Sequence, residues 1–321
     1  MKVVREEESR GFRLDRSVVT VGAFDGIHLG HRVLLEAARE RARELGVPSV
    51  AVSFDRHPLA VLAPERVPKL LMSPAMRDEV LEEAGVDYLY LLHFDHARAS
   101  QTAEEFARST LCATLGAAVV VVGENFTFGA RGAGTPAVLV ALGKEMGFEA
   151  VALELTKVGA VGGIAGFADS EPISATLIRL LIQEGRLPEA EVLLGRPFAM
   201  EGAVASGDQR GRQLGFPTAN VMVPPSFVKP PDGVYAGRTV IGGEERLVAL
   251  SLGTRPMYYP DGGLRLLEAH VLDFGGDLYG TVMRVEFAAR IREQRVFDDE
   301  SELLLQIEAD VGEVRRLLLP E

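Results

Sequence analysis

Cysteine, basic charge and long apolar runs are all scarce in this chain, and each scarcity excludes something. Cys112 is the only cysteine among 321 residues. No intrachain disulfide can form, and a reducing compartment fits. Lys and Arg total 34 against 46 Asp and Glu, a formal net charge of -12. A nucleic-acid-binding protein needs a basic face, so that class is disfavoured. ATP stays within reach, because phosphate recognition needs only a local cluster of donors. No apolar stretch attains the roughly 18–20 residues of a membrane span, and Met1–Asp15 is too charged for a signal peptide. The expectation is a cytoplasmic protein with neither membrane nor nucleic acid as partner. Internal repeats and low-complexity tracts are also missing. So is the G-x-x-x-x-G-K-[ST] sequence, which excludes an ordinary P-loop kinase.

What is present is a change of texture along the chain. A length of 321 residues is long for one core, so two domains are expected. The first half alternates nearly all-apolar runs (Ser17–Phe24, Ser49–Phe54, Tyr88–His93, Ala118–Gly123, Phe148–Leu155) with helical stretches. Apolar runs of this kind suit parallel strands covered on both faces, and the alternation predicts a doubly wound α/β domain. Helices are expected at His31–Leu45, at Pro74–Ala84, and after the capping box Thr102-Ala103-Glu104-Glu105. The Gly-rich stretch Gly159–Gly166 reads as a candidate mobile loop or lid. Beyond Gly202, short β-like runs alternate with Gly and Pro turns, which predicts a small antiparallel barrel. A terminal helix carries one apolar stripe at Leu303, Ile307, Val311, Val314 and Leu318. The boundary is expected near Gly185–Leu187.

The first chemical motif is Gly22-Ala23-Phe24-Asp25-Gly26-Ile27-His28-Leu29-Gly30-His31, where the first strand turns into the first helix. Such a turn is the usual ligand crevice of a parallel sheet, and the helix start offers N–H groups to phosphate. Gly22 and Gly30 admit a close ligand, and Phe24 and Asp25 belong to the same turn. His28 and His31 lie three apart, so both rings can address one phosphate chain. A metal pair is the competing reading, but no cysteine or third histidine is close in sequence.

Three further segments extend the pattern: Ser53-Phe54-Asp55-Arg56-His57-Pro58, Val122-Gly123-Glu124-Asn125-Phe126-Thr127-Phe128-Gly129 and Ile173-Ser174-Ala175-Thr176-Leu177-Ile178-Arg179. Together with the first motif they resemble the FMN adenylyltransferase module of bacterial bifunctional FAD synthetases. The resemblance implies that His28 and His31 contact the ATP phosphates and act in catalysis, with Gly22, Phe24, Asp25 and Gly30 around them. It implies that Thr176 and Arg179 hold the β- and γ-phosphates. It places flavin beside His57, Pro58, Asn125, Phe126 and Phe128. Two positions depart from the pattern: Arg56 stands where the family usually has Pro, and Ala175 where it usually has Ser.

The second motif opens with Gly202-x-Val204, continues through Gly207–Gly211 and Arg212, and ends in Leu214-Gly215-Phe216-Pro217-Thr218-Ala219-Asn220. Glycines would let a loop fold over phosphates, with Gly207, Gly211 and Arg212 as candidate contacts. Thr218 and Asn220 would share one face of a strand, supplying two hard oxygen ligands suited to Mg²⁺. Glu268 and His270 alternate onto one face of a later strand. The run Pro217-Thr218-Ala219-Asn220 resembles the riboflavin kinase signature. That resemblance implies that Glu268 is the base accepting the ribityl hydroxyl proton, and that Arg292 lies beside the kinase flavin.

The resemblance covers the whole chain and implies a Rossmann-like nucleotidyltransferase domain (1–186) followed by a small antiparallel barrel kinase domain with a C-terminal helix (187–321). The expected chemistry is riboflavin to FMN, then FMN to FAD, with ATP as co-substrate and Mg²⁺ as cofactor. Riboflavin, FMN and ATP are the expected small-molecule partners, and a homo-oligomer stays open. The alternative is a riboflavin kinase whose adenylyltransferase half is weakened or lost, as Arg56 and Ala175 would suggest. A non-catalytic flavin-binding regulator would predict loss of His28, His31 or Glu268, and all three are present. A nucleotidyltransferase for another acceptor, such as phosphopantetheine, leaves Thr218-Ala219-Asn220 unexplained.

Overall fold

The structure is a computed structural model and describes residues 1–8, 11–206, 215–254 and 265–319. Contacts divide the chain into two compact units, Met1–Pro68 with Pro74–Ala175, and Lys69–Ser73 with Thr176–Glu321. The expected boundary fell later, at 186/187. Residues 176–186 join the second unit because α5 (Ala175–Gln183) buries Leu177, Ile178, Leu181 and Ile182, an apolar stripe that a linker would not carry.

In the first unit, six strands form one sheet: β1 (Lys2–Arg5), β2 (Ser17–Val21), β3 (Ser49–Phe54), β4 (Tyr88–Leu92), β5 (Ala117–Gly123) and β6 (Glu149–Leu153). Their spatial order is β1-β4-β3-β2-β5-β6, and every pairing is parallel. Alternate side chains feed two cores. Val19 and Val21 of β2 join Val50, Val52, Val120 and Val122 on one face, under Phe106, Leu111 and Leu139. Val18, Val119 and Val121 face the other way, onto Ala38 and Ala42 of α1 (Leu29–Leu45). Covering both faces explains why the strands read as unbroken apolar runs.

α2 spans Pro74–Glu83. α3 (Ala103–Phe106) opens with the expected Thr102–Glu105 capping box and runs on into a π-helical segment, Ala107–Thr114. α4 is Pro136–Met146. The stretch Gly159–Gly166, expected as a mobile loop, has a fastened base. Backbone bonds join Val158 to Glu171 (2.8 Å) and Ile173 to Thr156 (2.8 Å). Strand β1 went unrecognised in the sequence because only Val3 and Val4 are apolar between Lys2 and Arg5.

The second unit begins with α5 and α6 (Leu187–Leu194). Six antiparallel strands follow: β7 (Phe198–Ala205), β8 (Ala219–Met222), β9 (Gly233–Ile241), β10 (Glu244–Gly253), β11 (Leu266–Val271) and β12 (Val282–Arg292). They close into a barrel in the order β10-β11-β8-β7-β12-β9. Closure pairs every edge, which removes the exposed backbone an open sheet of short strands would present. The terminal helix α7 (Glu300–Leu318) is capped by Asp299, which accepts from the Glu302 amide. Its Val314 is fully buried against Ala236 and Leu272.

Candidate active sites

In the first unit, the chain order runs from β2 outward to β3 and β4, then returns to β5 on the other side of β2. That reversal makes the carboxyl ends of β2 and β5 a topological switch point, the usual crevice of a doubly wound sheet. Three sequence-predicted segments converge there, leaving the carboxyl ends of the adjacent strands β3, β2 and β5.

The loop after β2 is tightly wound. Gly26 has φ 78°, and two residues with side chains, Phe24 (φ 49°) and Ile27 (φ 37°), also adopt left-handed backbone. Such conformations cost on the order of 1–3 kcal/mol each and persist where surroundings enforce them. Here Phe24 and Ile27 are both wholly buried, and the Ser53 hydroxyl donates to the Ala23 carbonyl at 3.1 Å. The loop delivers His28 to the N-cap of α1. The His28 and His31 rings stack at 3.8 Å between centroids, and Phe24 meets His31 edge-on at 5.3 Å. Burial, reinforced by the neighbouring His28, holds the His31 pKa well below the ordinary imidazole value. His31 is therefore neutral at pH 7, and its buried Nδ1 has no hydrogen-bond partner among the described residues. Position 30 is tight for anything but glycine, since a Cβ there would stand 3.2 Å from His28 Nδ1 and 3.5 Å from the Ile173 carbonyl. Asp25 is also buried, at 8% exposure.

After β3, Asp55 accepts from His93 Nδ1 (2.8 Å) and from the Phe94 amide (3.1 Å). Arg56, where Pro was expected, extends its guanidinium to the same carboxylate at 3.1 Å. His57 accepts the Leu59 amide at Nδ1 (3.1 Å), which leaves its Nε2 as the protonated nitrogen of the neutral ring. Pro58 starts the helical turn Leu59–Leu62. After β5, Asn125 is exposed, and the Phe126 and Phe128 rings stack at 5.3 Å. The two aromatics are not equivalent. Phe128 is a core residue at 8% exposure, packed with Phe106, whereas Phe126 is half-buried.

The phosphate segment starts beside Gly30 at Ile173 and passes into α5. Thr176 and Arg179 belong to the second unit, where Arg179 Nε donates to the Lys69 carbonyl at 2.6 Å.

In the barrel, Gly207, Gly211 and Arg212 lie outside the described residues. Thr218 directly precedes β8, and Asn220 within it is 7% exposed. Asn220 pairs in register with Glu268 of β11, so the two side chains share a face about 4.5–5.5 Å apart at Cβ. His270, two residues on, takes the same face, and its Nδ1 lies 2.8 Å from the Pro217 carbonyl. It thereby fixes the backbone just ahead of Thr218. The oxygens of Thr218 and Asn220 beside a carboxylate form a hard donor set that fits Mg²⁺. Arg292, expected beside flavin, lies at the end of β12 and is anchored by an ion pair. Its guanidinium grips Asp310 of α7 through Nε (2.9 Å) and Nη2 (2.7 Å), and Asp310 is buried. This pair clasps the terminal helix to the end of β12.

A doubly wound domain with a histidine pair at its switch point, joined to a closed barrel carrying Asn220 and Glu268, defines a two-domain nucleotide-transferring enzyme. The family model for FAD synthetase matches residues 13–161, and that for riboflavin kinase matches residues 194–318. The chain belongs to the family of bifunctional riboflavin kinase/FMN adenylyltransferases. It is 37% identical over 295 residues to the protein of that name from Escherichia coli (strain K12), covering 91% of this chain and 90% of that one. It is 32% identical over 317 residues to the Bacillus subtilis (strain 168) protein, covering 98% and 94% respectively. A crystal structure described as a macrolide-efflux protein from Streptococcus pneumoniae matches with a TM-score of 0.85 and 31% identity, covering 98% of this chain and 99% of that one. Among the described residues, no helix is long and apolar enough to cross a membrane.

Proposed function

We propose that this chain phosphorylates riboflavin to FMN in its barrel and adenylylates FMN to FAD in its α/β unit. The observation that carries the reading is the presence in one chain of two intact constellations, the stacked His28–His31 pair at a switch-point helix start and the cross-strand Asn220–Glu268 pair. In the first step Glu268 accepts the proton of the ribityl 5′-hydroxyl as its oxygen attacks the γ-phosphorus and ADP departs. Thr218 and Asn220 would hold Mg²⁺, which neutralises phosphate charge when bound. In the second step an FMN phosphate oxygen attacks the α-phosphorus of a second ATP and pyrophosphate leaves. Imidazole N–H groups of His28 and His31 stabilise charge growing on the α-phosphate oxygens. Thr176 and Arg179 keep their β,γ-phosphate assignment on sequence alone. Flavin lies against the Phe126 face, with Asn125 and His57–Pro58 beside it, while Phe128 supports from the core.

The functional division is 1–186 and 187–321, and the cytoplasm is the proposed location. The efflux description of the Streptococcus protein contributes nothing to this reading. The test is incubation of the pure protein with riboflavin, ATP and Mg²⁺, resolving FMN from FAD over time. Sequential appearance of FMN then FAD is expected. Accumulation of FMN with no FAD would establish the single-activity alternative.

A further inference from the structure

The ladder between β2 and β3 stops just past the end of β2. Val21 pairs with Val52, and the Gly22 amide donates to the Val52 carbonyl at 3.0 Å. Beyond that point a side chain takes over, as the Ser53 hydroxyl donates to the Ala23 carbonyl at 3.1 Å. Ser53 is wholly buried, and its backbone is held from the other side by pairing with Leu91 of β4. Val50 and Val52 point into the core on one face of the sheet. Strand alternation therefore turns Ser53 to the opposite face, which α1 covers.

The carbonyl that Ser53 binds belongs to the peptide joining Ala23 to Phe24. Phe24 is left-handed (φ 49°), and its ring folds back over Gly22, where a Cβ would stand 3.2 Å from it. The same ring meets His31 edge-on at 5.3 Å, and His31 stacks on His28 at 3.8 Å. Fastening the carbonyl restricts rotation of that peptide. The bond thus selects the left-handed Phe24 conformation against the extended ones that an L-residue prefers.

We propose that Ser53 is a positioning residue for adenylyl transfer. Its hydroxyl locks the Ala23–Phe24 peptide, and the Phe24 ring then sets the His28–His31 stack that addresses the α-phosphate. The inference rests on that histidine pair serving adenylylation. The Ser53 hydroxyl proton is committed to backbone, so the residue acts through Phe24 rather than on substrate.

The experiment reads the imidazole signals of the full-length protein by carbon–proton NMR, together with FAD formation from supplied FMN. The chain has six histidines, and loss of one signal in H28A or H31A assigns each member of the pair. H31A also tests the underlying reading: if it makes FAD at the wild-type rate, the histidine assignment itself fails and the proposal falls with it. With that assignment standing, S53A should shift the His28 and His31 signals, whose ring currents depend on the stack, and leave His96 and His270 in place. Its kcat for FAD formation should fall about tenfold, while riboflavin phosphorylation is unchanged. S53T keeps the hydroxyl and should restore both signals and rate. Unmoved His28 and His31 signals in S53A overturn the proposal whether or not kcat falls, and so do shifted signals with a wild-type rate. If S53A fails to fold, S53C, with its weaker donor, must shift the same signals, and wild-type signals there overturn the proposal equally.

Discussion

His31 is held between two rings, His28 at 3.8 Å and Phe24 at 5.3 Å, and its pKa is depressed first by burial and then by His28. An unfolded chain would protonate this imidazole near pH 6.5. Above that pH neither state holds the proton, and the residue contributes nothing to pH dependence. Below it the unfolded chain takes up a proton that the folded one refuses, so stability falls by up to about 1.4 kcal/mol per pH unit until the folded pKa is reached. The urea midpoint should therefore drop less between pH 7 and pH 5 in H31Q than in the wild type. Function should respond separately. H31A should slow FAD formation about 10²-fold or more while riboflavin phosphorylation stays near normal. Equal loss of both activities would contradict separate sites. At Ala175, restoring Ser adds a hydroxyl worth about 0.5–1.5 kcal/mol if it bonds phosphate. The apparent KM for ATP in adenylylation should then fall, and an unchanged value would show that another group already fills that role.

Elements place these residues through close approach. Gly30 is the second residue of α1, and a methyl group there would push on the His28 ring at 3.2 Å. G30A should keep the sheet and helix intact by circular dichroism and still lose most FAD formation, because the stacked pair is displaced. The other element-level device is the Arg292–Asp310 clasp on α7. Asp310 is almost fully buried while Arg292 keeps some exposure. Removing the arginine strands a buried carboxylate, and about 2–3 kcal/mol of barrel stability should go with it, below the upper range for fully buried pairs. D310A should lower the barrel's urea midpoint as well. If R292A instead raises KM for riboflavin with an unchanged midpoint, Arg292 is a flavin contact rather than a clasp.

At the scale of the molecule, each unit carries its own sheet and core. The barrel residues proposed for kinase chemistry all follow Leu187, so a fragment of residues 187–321 should convert riboflavin to FMN and make no FAD. The buried stripe of α5 belongs with that unit. A fragment starting at 176 should therefore melt higher than one starting at 187. A 187–321 fragment that folds cooperatively yet makes no FMN would show that the kinase site needs residues from the first half.

Local patterns in the sequence determined the doubly wound unit, the barrel, the terminal helix and the two chemical motifs. Apolar periodicity, caps and glycine turns are short-range properties, legible from neighbours in the chain. β1 escaped because a four-residue edge strand with two charged ends carries too little pattern. Tertiary structure decided what depends on residues distant in sequence. The left-handed turn that seats His28, the core role of Phe128, and the capture of Arg292 by Asp310 each required a partner from another element. The cross-strand pair Asn220–Glu268 required strand register. Register follows from how a closed barrel satisfies all its strands together, and no single strand encodes it.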